Sequence, residues 1–153
     1  MELKRATVKD ADTILRLQRD AFAGLLAKYQ DYDTSPANEP IERIEAKLRQ
    51  TDAYFYYITD QDKIVGAIRI IDRKDGTRKR ISPLFVAEEY RNRGYAQSAI
   101  TEAEHLHGED SWELDTILQE EANCYLYEKM GYHRTGQTER INDKMTIVHY
   151  EKN

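Results

Sequence analysis

The stretch Pro83-Leu84-Phe85-Val86-Ala87-Glu88-Glu89-Tyr90-Arg91-Asn92-Arg93-Gly94-Tyr95-Ala96 has the residue types to hold a phosphate or pyrophosphate. A hydrophobic run stops at Val86, a short charged turn follows, and an amphipathic helix is predicted to begin around Gly94. The first turn of a helix leaves backbone N–H groups unpaired and carries the positive end of the dipole. Small residues there, here Gly94 and Ala96, let an anion approach the backbone closely. Arg91 and Arg93 add charge-assisted donors at the mouth. No Gly-Lys-Ser/Thr follows, so the segment is not a Walker A loop, and its spacing is not the dinucleotide fingerprint.

The elements that must carry this segment are legible on either side of it. Leu3 to Val8 reads as a short strand, and Asp10 is placed to cap a helix that ends near Tyr29, with Ile14, Leu15, Leu17, Ala21, Phe22, Leu25 and Leu26 near helical spacing. Asp31 to Pro36 is a polar loop, and Pro40 suits the first position of a second helix. Ala53–Thr59, Ile64–Ile71 and Lys79–Val86 read as strands, the last two joined at the Asp75-Gly76 turn. Gly66 marks either a bulge or close approach, or an ordinary strand glycine. After the helix from Gly94 to His107 come a strand at Trp112–Ile117, a helix at Glu121–Met130 stopped by Gly131, and two further strands, from Tyr132 and from Lys144. This order predicts one α/β domain over residues 1–153: a mixed, largely antiparallel sheet of six to seven strands flanked by about four helices, not a doubly wound fold.

Composition narrows the partners. With 23 Lys and Arg against 28 Asp and Glu, the net charge of −5 disfavours a nucleic-acid surface. The basic residues Arg73, Lys74, Arg78, Lys79 and Arg80 bracket the hairpin turn, either as a solvated tip or as a substrate or partner surface. Cys124 is the only cysteine, which excludes an internal disulfide and fits a reducing compartment. No apolar run has the length of a membrane span and none follows the N-terminus, so the expected location is the cytoplasm. The histidines lack ligand-spaced companions, so no metal is expected.

Arg91-x-x-Gly94-x-Ala96 after a strand resembles the acyl-CoA binding signature of the Gcn5-related N-acetyltransferase (GNAT) superfamily: Arg or Gln, two residues, Gly, one residue, then Gly or Ala. Leu84-Phe85-Val86 before it, and Leu126-Tyr127-Glu128-Lys129-Met130-Gly131-Tyr132 after it, extend the resemblance. The latter is similar to the family's LYEK-x-GF segment with Tyr132 for Phe, and the element order fits over essentially the whole chain.

That resemblance implies the acyl-CoA N-acyltransferase fold, acetyl-CoA as cosubstrate, and a V-shaped gap where the strand ending at Val86 diverges from Trp112–Ile117. The pantetheine arm would lie along Leu84, Phe85 and Val86, pairing with backbone groups of Leu84 and Val86. The pyrophosphate would meet the N–H groups of Arg91, Asn92, Arg93, Gly94, Tyr95 and Ala96. Tyr127 corresponds to the family's tyrosine beside the thioester sulfur, general acid toward the leaving thiolate. Where the family often carries an asparagine seven residues earlier this chain has Glu120, and Asn123, one helical turn from Tyr127, stands in as a pantetheine contact. The family's strand glutamate is missing, because Ile81, Ser82 and Pro83 occupy that region. Water-mediated deprotonation through Asp115 and Ser82 is the route considered for the amine proton. In the family the loop between the first two helices roofs the acceptor site. Tyr32 and Ser35, with Asp31 and Asp33, would combine with Tyr54 and Tyr56 into an aromatic, acidic pocket for a cationic amine.

The chemistry is consistent with those parts. Attack of an amine on a thioester needs a neutral amine, a polarised carbonyl and a proton for the departing sulfur. A backbone N–H near Val86 could steady the oxyanion, and a tyrosine's high pKa keeps its proton available. The function implied is acetyl transfer from acetyl-CoA to a primary amine of a small molecule or peptide, by direct attack in a ternary complex. The alternative is a catalytically silent acyl-CoA-binding sensor or structural module. Such relatives commonly form homodimers through their last strands, and nothing in the sequence fixes this.

Overall fold

The computed structural model describes residues 1–153. The elements are β1 (Glu2–Arg5), α1 (Ala11–Tyr29), α2 (Ile41–Arg49), β2 (Ala53–Asp60), β3 (Lys63–Ile71), β4 (Lys79–Val86), α3 (Tyr95–His107), β5 (Trp112–Ile117), α4 (Glu121–Lys129), β6 (His133–Asn142) and β7 (Met145–Lys152). They form one seven-stranded sheet in the order β1-β2-β3-β4-β5-β7-β6. Every neighbouring pair is antiparallel except β4 and β5, which run parallel.

Side-chain alternation gives each central strand two buried faces, which is why β2 and β3 read as nearly continuous apolar runs. Ile68, Ile70, Trp112 and Leu114 face α3 and α4, where they pack with Ala99, Ile100 and Cys124. Phe55, Tyr57, Ala67 and Phe85 face α1 and α2, against Ile14, Ala21 and Ile44. No helix is long and apolar enough to cross a membrane.

Two local departures follow from competing hydrogen bonds. Asp10 does not cap α1; its carboxylate turns back to accept from the Thr7 N–H at 2.8 Å, across a 3-10 turn at Val8–Asp10. Pro40 lies one position ahead of α2 in extended backbone, and its carbonyl accepts from the Arg43 N–H at 3.1 Å.

The middle of β4 is shaped by its contact with β3. The register jumps from Ile68–Leu84 to Ile70–Ile81, so Arg69 alone faces Ser82 and Pro83 across a bulge. Arg69 is only 5% exposed, and its guanidinium donates to the Ser82 carbonyl at 2.9 Å and to Gln50 Oε1 at 2.6 Å. Farther along, Gly66 meets β4 so closely that a Cβ would fall 2.1 Å from the Phe85 carbonyl oxygen. Glycine is therefore required there by close approach.

Candidate active site

Parallel pairing of β4 and β5 is confined to Lys79–Trp112 and Arg80–Glu113. Beyond these residues β5 follows β7 through Ile117–Ile147, and β4 follows β3 through Val86–Gly66, so the two strands part. From Ile81 to Val86 the edge of β4 that faces β5 has no strand partner. Its backbone polar groups can pair with an extended ligand laid beside it. A cavity of about 230 Å³ occupies the gap, walled by Ile81–Leu84 of β4, Asp115–Ile117 of β5, Asn123 and Tyr127 of α4, and Phe22, Leu25 and Leu26 of α1. Because α1 and α4 cover opposite faces, the cavity is lined from both layers of the fold.

Phe85 belongs to this edge by its backbone only, since its ring packs edge-on against Phe22 at 5.6 Å in the core. The Val86 carbonyl already accepts from Arg91 Nε at 3.0 Å. Arg91 also donates to the Ala21 carbonyl at 2.7 Å, so it clasps the end of β4 to α1 instead of projecting into the mouth. The guanidinium expected on the phosphate is thus taken by two carbonyls that lie far from it in sequence or across a turn.

The rest of the predicted cradle has free donors. The Arg91 N–H bonds Glu88, and the next backbone bond is from the Ser98 N–H to the Gly94 carbonyl at 3.0 Å. The amides of residues 92–97 therefore donate to no protein acceptor. Asn92 and Gly94 have φ of +63° and +82°, which turns the chain into α3, and nothing lies within 4 Å of where a Gly94 Cβ would stand. Arg93 is exposed beside the Tyr90 ring, 5.7 Å from its centroid. Tyr95 fixes the helix start by donating to Asp60 at 2.6 Å. Unpaired amides, an open approach and a nearby guanidinium fit a diphosphate.

Tyr127 sits in the wall of the cavity at the α4 side, 9% exposed, with its ring between Tyr132 and Tyr150. Its hydroxyl has no protein partner and is open to the cavity. Burial, with a further contribution from Cys124, pushes its pKa up to about 12, so it stays protonated throughout the physiological range. Cys124 itself is buried with Sγ near the Ile117 carbonyl, which makes it a packing residue. Asn123 lines the cavity one turn before Tyr127. Glu120 is turned away to accept from Tyr29 and from Lys28 at 2.8 Å, tying the end of α1 to the start of α4. Burial raises its pKa, but those two bonds outweigh it and hold the carboxyl below its ordinary value.

Asp115 and Ser82 both reach the cavity from opposite strands. Asp115 is not a free base. It pairs with Arg80 at 2.5 Å and His149 Nδ1 at 2.8 Å. Burial pushes its pKa up, yet the hydrogen bonds and charges of His149 and Arg80 win and leave it below the carboxylate range. For His149 burial lowers the pKa, and bonds to Asp115 and Glu151 raise it further than burial lowers it. Glu113, His149 and Glu151 hold ligand atoms within 4.8 Å of one another, but Arg80, Arg78 and Asp115 already pair with them.

The expected acceptor pocket is rebuilt by the fold. Ser35 lines the cavity, with its Oγ accepting from the Ala37 N–H at 3.1 Å. Tyr32 is 60% exposed and outside it. Tyr54 and Tyr56 lie on the α3 face, not the α1 face, in a separate groove around His107. There Tyr56 Oη lies 2.8 Å from His107 Nε2, and His107 Nδ1 pairs with Asp72 at 2.9 Å. The cavity walls away from α4 include instead Phe22, Leu25 and Leu26, Asp31, and Met145 and Ile147 of β7. Helical spacing marked the α1 residues, but that pattern reads equally well as core.

Residues 27–153 match the family described as acetyltransferase (GNAT) domain. No curated protein matches the chain in sequence. Among solved structures, a spermidine N-acetyltransferase from Vibrio cholerae, in complex with CoA and spermine, is 15% identical with a TM-score of 0.76, covering 98% of this chain and 93% of its own. An aminoglycoside 6'-acetyltransferase type Ii is 19% identical with a TM-score of 0.70, over 100% and 97%. Arabidopsis thaliana NAA60, bound to a bisubstrate analogue, is 16% identical with a TM-score of 0.72, over 99% and 96%. At identities of 15–19% these neighbours speak to the fold alone. With the family match covering most of its length, the chain belongs to the GNAT acetyltransferases.

Proposed function

We propose that this protein transfers an acetyl group from acetyl-CoA to a primary amine by direct attack within a ternary complex. The reading is carried by one observation: the unpaired β4 edge joins the segment with free amides before α3 to the cavity that Tyr127 lines, walled from both layers of the fold. In this reading the diphosphate of CoA rests on the amides of residues 92–97 beside Arg93, and the pantetheine pairs with β4 around Leu84. The amine arrives from the α1 side, adds to the thioester carbonyl, and the tetrahedral intermediate expels the thiolate, which takes the Tyr127 proton. Tyr127 is protonated because burial holds its pKa near 12. The amine's own proton leaves to water at the polar end of the cavity, formed by Ser82 and the Arg80–Asp115 pair. Asp115 contributes there by electrostatic attraction for an ammonium, since its lowered pKa makes it a weak base.

Neighbours named for spermidine and aminoglycosides support an amine as acceptor. The test is thiol release from acetyl-CoA across a panel of primary amines, together with calorimetric titration of CoA alone. Release with some amine is expected. CoA binding with no release from any amine would leave the protein an acyl-CoA sensor, and no CoA binding would remove both readings.

A further inference from the structure

Asp31 is 6% exposed, lines the cavity, and has no cationic partner. Its oxygens accept only from the N–H of Thr34 at 3.1 Å and from the Thr34 hydroxyl, both neutral donors. No lysine, arginine or histidine nitrogen comes within the 4.0 Å of an ion pair. The cations that could have served are committed elsewhere: Lys28 to Glu120 at 2.8 Å, Lys144 to Gln30 Oε1 at 2.9 Å.

Position adds to the imbalance. Asp31 directly follows Gln30, the left-handed residue that closes the 19-residue helix α1. The C-terminus of a helix carries negative partial charge, so a carboxylate there faces repulsion that a cation would relieve. Buried charges in folded proteins are ordinarily paired. The other carboxylate of the cavity, Asp115, is paired with Arg80 and His149. The cavity that Asp31 lines also carries apolar side chains, Leu25, Leu26 and Ile147 among them.

Resting on the acetyl-transfer reading above, we infer that the acceptor is a small molecule with two amines joined by an apolar spacer, and that Asp31 binds the amine that does not react. One ammonium pairs with Asp31, the methylenes lie against the apolar side chains, and the second nitrogen, once neutral, meets the thioester near Ser82 and Tyr127.

The test compares straight-chain α,ω-diamines with the matched n-alkylamines by calorimetric binding, with and without CoA, in the wild type and in Asp31→Asn. Asn keeps an acceptor for the Thr34 N–H while removing the charge. A charge-assisted bond in a desolvated site corresponds to about tenfold or more in affinity. The wild type is expected to favour its best diamine over the monoamine by that factor, with an optimum chain length. Asp31→Asn should weaken the diamine and abolish the preference while leaving CoA affinity and the melting temperature nearly unchanged. Thr34→Val, which keeps the carboxylate, should retain it. No preference for any diamine over its matched monoamine in the wild type, or a diamine affinity that Asp31→Asn leaves unchanged, would overturn the inference. Failure of CoA to bind, or of thiol to appear with any amine, bears on the proposed reaction instead, because the binding preference reads Asp31 alone.

Discussion

The guanidinium of Arg80, the last β4 residue paired with β5, lies 2.5 Å from the carboxylate of Asp115, two residues past the pairing on β5. It also reaches Glu113 at 3.2 Å, while Asp115 takes a bond from His149 and His149 reaches Glu151 at 3.2 Å. Where backbone pairing stops, side-chain charge from β4, β5 and β7 holds the vertex of the gap.

That lock has a pH window. Asp115 is held below the carboxylate range, so its contribution is present above that range and is lost as pH falls through its lowered value. His149 is raised above 6.5, so its contribution is complete below 6.5 and is lost as pH rises through its raised value. Replacing His149 by Asn should therefore cost most in mildly acidic solution, on the order of 1 kcal/mol given partial exposure, and little in alkaline solution. Melting temperatures of the two proteins at about pH 5.5 and about pH 9 measure it. An equal deficit at both would count against the lock.

Tyr127→Phe removes only a hydroxyl that has no protein partner. Turnover should fall by about 10²-fold or more, with CoA affinity and melting temperature nearly unchanged. Turnover near that of the wild type would take the general-acid role from Tyr127.

Arg91 and Arg93, two residues apart, should fail differently. Arg91→Ala frees the carbonyls of Val86 and Ala21 and should cost about 1 kcal/mol of stability, which Arg91→Lys does not restore because two acceptors need the fork. Arg93→Ala should leave the melting temperature alone, weaken CoA several-fold and flatten the salt dependence of that binding. Thermal melts and titrations at two ionic strengths separate them.

Gly66→Ala would set a methyl 2.1 Å from the Phe85 carbonyl oxygen, a backbone atom that cannot step aside. A loss of about 2–3 kcal/mol is expected in urea unfolding, with CoA affinity reduced because β4 is displaced. Gly94→Ala meets no atom, so its cost is confined to the left-handed backbone, about 1–2 kcal/mol.

Much of this architecture could be read in advance because local signals agreed with one another. Val86 ended a strand, Gly94 opened a helix and Gly131 closed one, and the chain places each boundary within a residue or two of those marks. What could not be read depends on distant partners. Tyr54 and Tyr56 share a strand face, as alternation requires, but which face meets which helix layer is set by the whole sheet. Arg91 carries the motif's charge, and only the folded chain brings the Ala21 carbonyl to it from 70 positions away. Asp115 looked available on a strand because Arg80 and His149 reach it from two other strands.

The cavity is lined from both faces of the sheet, by Asn123 and Tyr127 of α4 and by Phe22, Leu25 and Leu26 of α1. Under the proposed reaction, cosubstrate and acceptor would meet there from different layers of the fold, so both compounds would sit in place together before the acetyl group passes. Substitutions along α1 could then reshape the acceptor side over generations without disturbing the layer that holds Tyr127.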